Sequence, residues 1–60
     1  MRTRKQLERM GFEFTWAYSA YRVCVWAPGR VHLGTFDSRG AYQIPAAARE
    51  AIAEWEVTNA

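Results

Sequence analysis

The chain has 60 residues, half of them hydrophobic, 15% aromatic and 23% charged, with a formal net charge of +2. That is room for one small domain, residues 1–60, and excludes a second domain or an ordinary enzyme scaffold. Cys24 and His32 are the only cysteine and the only histidine, so one chain forms no internal disulfide and no four-ligand Cys/His zinc site, and no metal or other cofactor is expected.

No apolar run approaches the roughly 18 residues needed to span a bilayer, and the basic start leads into no signal-like apolar segment. A cytoplasmic protein without a membrane partner is the expectation. With no disulfide or structural metal, the core must come from large side chains, each aromatic burying roughly 150–250 Å².

Thr3 to Met10 is rich in helix formers, with Thr3 placed as N-cap and Gly11 as the glycine that ends the helix. This predicts a short helix over 4–10, pinned by Leu7 and Met10. From Phe12 the period changes to two: Phe12, Phe14, Trp16 and Tyr18 alternate with Glu13, Thr15, Ala17 and Ser19, the pattern of a half-buried strand. Tyr21–Trp26 is a second β-rich run and Arg30–Phe36 a third, with Pro28-Gly29 between them, so an antiparallel meander is expected.

The hairpin register decides which side chains share a face. A two-residue loop at Pro28-Gly29 mixes apolar and polar residues on both faces. An odd loop sorts them, with Tyr21, Val23, Val25, Val31 and Leu33 on one face and Arg22, Cys24, Trp26, Arg30 and His32 on the other. A Pro-Gly turn also tends toward type II, which suits a bulge or a longer loop better than a tight hairpin. Pro45 then opens an alanine-rich helix expected over 45–56, whose Ala48, Ala51, Ile52 and Trp55 form one apolar stripe. The expected fold is α+β: a short N-terminal helix, a three-stranded antiparallel sheet and a C-terminal helix packed on one sheet face.

Charge is unevenly placed. Arg2, Arg4, Lys5 and Arg9 stand against Glu8 near the start, whereas Arg49 stands against Glu50, Glu54 and Glu56 near the end. A basic arm approaches phosphates and an acidic helix repels them, although either can also be a merely solvated surface. Parts for catalysis are few. Cys24 and His32 on neighbouring strands are the minimal nucleophile and base, but nothing supplies an orienting third group or an oxyanion site, so no enzyme is expected. The sharper feature is the open sheet face, where Arg22, Trp26, Arg30 and His32 combine cations with an aromatic ring, the mixture that contacts phosphates and stacks on bases.

The segment Gly29-Arg30-Val31-His32-Leu33-Gly34-Thr35-Phe36-Asp37-Ser38, followed by an alanine-rich helix, resembles the third strand and helix of plant ethylene-response-factor DNA-binding domains. Relatives in phage homing nucleases and in integrase arm-binding domains share the plan. The resemblance implies a three-stranded sheet laid in the DNA major groove, with Arg30 and His32 toward DNA and Val31 and Leu33 toward the helix. It covers the second half of the chain. Strand one carries Glu13 and Thr15 where that family carries arginines.

In format the chain also resembles small phage inhibitors of host defence, anti-CRISPR proteins among them: short, aromatic-rich and without a catalytic set or attached effector domain. That resemblance implies a stoichiometric inhibitor, a monomer rather than a dimer, docking on a host protein or ribonucleoprotein complex that handles nucleic acid. Its docking surface would be the basic arm and sheet, or the acidic helix with Glu50, Glu54 and Glu56. The alternative is a small DNA-binding protein that uses the open sheet face. Self-association through Trp26 and its neighbours is a third expectation.

Overall fold

In the computed structural model, which describes residues 2–59, the elements follow in the order α1 (Arg4–Arg9), β1 (Glu13–Ala17), β2 (Arg22–Ala27), β3 (Val31–Asp37) and α2 (Ala46–Thr58). The strands form one antiparallel sheet with β2 at its centre. The α+β architecture expected from the sequence is therefore present.

α1 is short and is held at both ends. Thr3 Oγ1 accepts from Gln6 N at 3.2 Å while Gln6 Oε1 accepts from Thr3 N at 2.8 Å, a reciprocal capping box. At the other end Gly11, at φ +107°, lets Gly11 N bond Glu8 O and Phe12 N bond Leu7 O, a Schellman closure. The closure swings Phe12 back toward Leu7, and both are buried in the core. Met10, expected to pin the helix, is 43% exposed at the C-cap; Phe12 takes its place because the closure turns the chain before Met10 reaches the core.

The sheet begins and ends its strands more abruptly than the alternation predicts. Tyr18 and Tyr21 lie outside the strands and are exposed, because Tyr18, Ser19 and Ala20 all adopt left-handed backbone, at φ 50°, 57° and 72°. This four-residue connection turns the chain tightly without a glycine. It is buttressed by the loop after β3, where Ser38 N bonds Tyr21 O at 2.8 Å and Tyr42 N bonds Ala20 O at 3.1 Å.

The β2–β3 loop is odd, as the face sorting requires: Ala27 pairs with Val31 and Trp26 with His32, leaving Pro28, Gly29 and Arg30 in the turn. A bulge then follows. Val25 pairs with Gly34 rather than with Leu33, and every later pair moves with it. Gly34 sits at φ +151°, and a Cβ there would lie 3.0 Å from the Phe36 ring, so the slip needs a residue without a side chain.

On the inner face the register rows are Phe14, Val25, Gly34 and Trp16, Val23, Phe36. Val23 and Val25 are fully buried beneath Ala48 and Ile52 of α2. Leu7 joins the same cluster, so α1 lies on the side that α2 covers and leaves the outer face open. Trp55, half-buried, meets Phe12 edge-on at 5.4 Å, and Trp16 meets Tyr42 in the same way.

α2 begins one residue later and ends two residues later than expected. Pro45 is its N-cap, with extended backbone, and its carbonyl accepts from Ala48 N and Arg49 N at 3.1 Å. At the far end Asn59 bonds Trp55 O through both backbone and side chain, which carries the helix through Thr58.

Candidate functional site

Three rows cross the outer sheet face. Ala17, Arg22 and Asp37 form the first, Thr15, Cys24 and Thr35 the second, and Glu13, Trp26 and His32 the third. Cys24 stands at the centre of the middle row, between two threonines, with Arg22 and Trp26 as its neighbours along β2 on the same face. Cys24 is half-buried, while His32 and the two threonines are exposed.

Aromatic and cationic groups meet along the third row. Arg30, in the turn at φ 62°, places its guanidinium 5.6 Å from the Trp26 ring, and the Trp26 and His32 ring centroids are 4.7 Å apart at a 48° tilt. From the other edge of its ring, His32 Nε2 approaches Cys24 Sγ at 3.0 Å. Of the four residues expected to share this face, Trp26, Arg30 and His32 are thus brought together on it, and Arg22 lies on the same face two rows away, beside Asp37 and Tyr18. Turn and strand cooperate here: the left-handed backbone at Arg30 returns its side chain over β2, and the odd loop sets His32 opposite Trp26.

The two arginines are engaged by carboxylates. Arg22 Nε donates to Asp37 Oδ1 at 2.8 Å, and its guanidinium also lies 5.0 Å from the Tyr18 ring. The Asp37 hydrogen bond and charge raise the Arg22 pKa above its ordinary value. Arg30 Nη1 donates to Glu13 Oε2 at 3.4 Å. With His32 neutral the face carries two cations and two anions, so it has little net charge and a strongly patterned local field.

Glu13 and Asp37 were not among the expected site residues. Glu13 had a visible signal, since alternation already sets it opposite to Phe14. Asp37 is hidden by the bulge: continuing the parity of Leu33 would bury it. The signals of the slip are Gly34 inside a strand and the spacing of the apolar residues Leu33 and Phe36, which no unbroken alternation fits.

The basic arm and the acidic helix, expected as separate surfaces, meet. Arg2 forms an ion pair with Glu56, and Arg49 Nη1 donates to Arg2 O at 2.6 Å. Arg4 is half-buried, its guanidinium 6.0 Å from the Trp16 ring. Of the four arm cations, Lys5 and Arg9 remain on the exposed side of α1. Glu50 and Glu54 stay exposed on α2 beside Ala53, Val57 and Thr58, with Val57 82% exposed.

Among the described residues no three His, Cys, Asp or Glu side chains cluster as a metal site would require, and no helix is long and apolar enough to cross a membrane. Comparison with protein-family models, with curated proteins and with solved structures returns no match for this chain.

Proposed function

We propose that the protein acts by stoichiometric binding, using the outer sheet face to dock on a protein surface, in the manner of a small inhibitor that occupies a site on a nucleic-acid-handling complex. The observation that carries this reading is the pairing of Arg22 with Asp37 and of Arg30 with Glu13 around the Trp26–His32 stack. A nucleic-acid surface gains affinity by neutralising phosphates with uncompensated cations. Here each arginine would have to leave a carboxylate, and that carboxylate would then face the phosphates. A protein partner fits better: Trp and Arg are the residues that dominate docking energy, and charges of both signs match a partner of mixed charge while excluding wrong ones.

Glu50 and Glu54 give the acidic helix a lesser place in this reading. Glu56, the third member of that group, is engaged by Arg2. Two carboxylates make a thin imitation of a phosphate backbone, and the aromatic anchor lies on the sheet.

Fluorescence anisotropy with labelled duplex and single-stranded DNA over a range of salt concentrations tests the reading. Weak binding at low salt, unchanged in Arg22→Ala and Arg30→Ala, is the expected result. Tight, salt-sensitive binding that both substitutions weaken would replace protein docking with DNA binding by the same face.

A further inference from the structure

On the helix side of the sheet, where α1 begins and the chain enters α2, a cleft of about 420 Å³ is lined by Thr3, Arg4, Tyr42, Gln43, Ile44 and Arg49. Small-molecule sites run from roughly 300 to 1,000 Å³, so the cleft is large enough for one. Two of the six lining residues are arginines and none is acidic. Both arginines are half-buried, and among the described residues neither is ion-paired with a carboxylate, whereas Arg2, Arg22 and Arg30 each are.

Each of the two guanidinium groups is positioned by an uncharged neighbour. Arg4 lies 6.0 Å from the Trp16 ring, and Arg49 Nη1 donates to the carbonyl of Arg2 at 2.6 Å. These contacts hold the cations without neutralising them. A partly desolvated guanidinium without a counter-charge is unfavourable and two beside one cleft repel each other, so an anion between them removes both costs. Phosphate suits the pair, because each planar fork can donate two parallel N–H bonds to its oxygens. The remaining wall is aromatic. Tyr42 is 60% exposed and its ring meets Trp16 edge-on at 5.4 Å, which leaves a braced, flat surface on which a second ring can stack. The amides Thr3 N and Gln6 N at the start of α1 are closed by the capping box, so side chains carry the site.

We propose that this cleft binds a phosphate monoester carried with a planar ring, the chemistry of a nucleoside monophosphate, with the phosphate between Arg4 and Arg49 and the ring on Tyr42. A free nucleotide and the phosphorylated end of a strand both offer that chemistry. The cleft lies across the sheet from the Trp26–His32 face, so it neither needs nor excludes docking there.

The full chain is titrated with AMP and followed by its amide NMR shifts, with adenosine and inorganic phosphate as controls. AMP is expected to move the amides of residues 3–4, 42–44 and 49, and to bind at least about tenfold more tightly than either control. Arg4→Gln and Arg49→Gln are each expected to weaken AMP by about tenfold or more, as loss of a hydrogen bond to a charged group does. Tyr42→Leu is expected to bring AMP down toward inorganic phosphate. Arg22→Ala and Arg30→Ala, on the other side of the sheet, are expected to leave AMP binding unchanged, which separates this site from the docking face. A dinucleotide with a terminal phosphate that binds more tightly than AMP identifies a strand end as the source; one that binds no more tightly identifies the free nucleotide. Shifts centred elsewhere overturn the proposal. So does adenosine or inorganic phosphate binding as well as AMP, or AMP binding that survives both arginine substitutions. If one arginine variant fails to fold, the other and the contrast of AMP with its controls decide.

Discussion

The two faces of the sheet are made from the same three strands and satisfy their side chains by opposite means. On the inner face Val23, Val25, Phe14, Trp16 and Phe36 are covered by Ile52, Ala48 and Leu7, so their contribution is removal of apolar surface from water. On the outer face the charged groups and the thiol are paired side by side: Arg22 with Asp37, Arg30 with Glu13, Cys24 with His32. Exposed ion pairs of this sort add little stability. The inner face therefore carries most of the stability of the molecule, which leaves the outer face free for the docking proposed above.

The largest test of this contrast lies inside. Ile52→Ala is expected to cost about 2–5 kcal/mol in urea unfolding, a large share of the stability of so small a domain. Cys24→Ser, on the outer side of the central strand that Ile52 covers, is expected to cost less than about 1 kcal/mol. Equal costs would mean that the outer face is covered in solution. Next comes the bulge that separates the faces: Gly34→Ala is expected to destabilise by about 1–3 kcal/mol, because the backbone conformation disfavours a side chain and the Phe36 ring blocks it. A neutral result would place the register slip elsewhere.

Smaller and opposite in sign is Ser19→Gly. Ser19 is exposed in the left-handed run between β1 and β2, and a glycine there should raise the unfolding midpoint, corresponding to roughly 1 kcal/mol of relieved backbone strain. The smallest effect on folding and the most informative on binding is the pair Glu13→Gln and Asp37→Asn. Together they release both arginines, and DNA binding measured by anisotropy should then appear, with its log–log salt dependence steeper by about 2. No gain would mean that the carboxylates are not what keeps phosphates from this face.

Much of the fold is legible in the chain itself. The Thr3 cap and the Gly11 stop bracket α1, the alternation from Phe12 to Trp16 marks β1, and the face sorting around Pro28-Gly29 selects an odd loop. These features depend on neighbours within a few residues. Tyr18 and Tyr21 read as strand because their residue types favour it; the left-handed turn that excludes them is supported by the loop after β3, about twenty residues away. The site was half legible. Arg22, Trp26, Arg30 and His32 follow from parity and the loop length, whereas Asp37 reaches the same face only because the bulge reverses parity beyond Leu33.

Composition and local pattern by themselves determined the element types, their order, the two-layer arrangement and the outward aromatic and cationic residues of β2 and β3. Tertiary structure alone decided which of the charges remain free: Arg2 is engaged by Glu56 across 54 positions of sequence, Arg22 by Asp37 across 15 and Arg30 by Glu13 across 17. The reason is physical. Helix and strand preferences are set within a few residues, but a one-residue shift in register moves every later side chain to the other face, and the charge partner of an arginine is fixed only when that register and the packing of the layers are fixed.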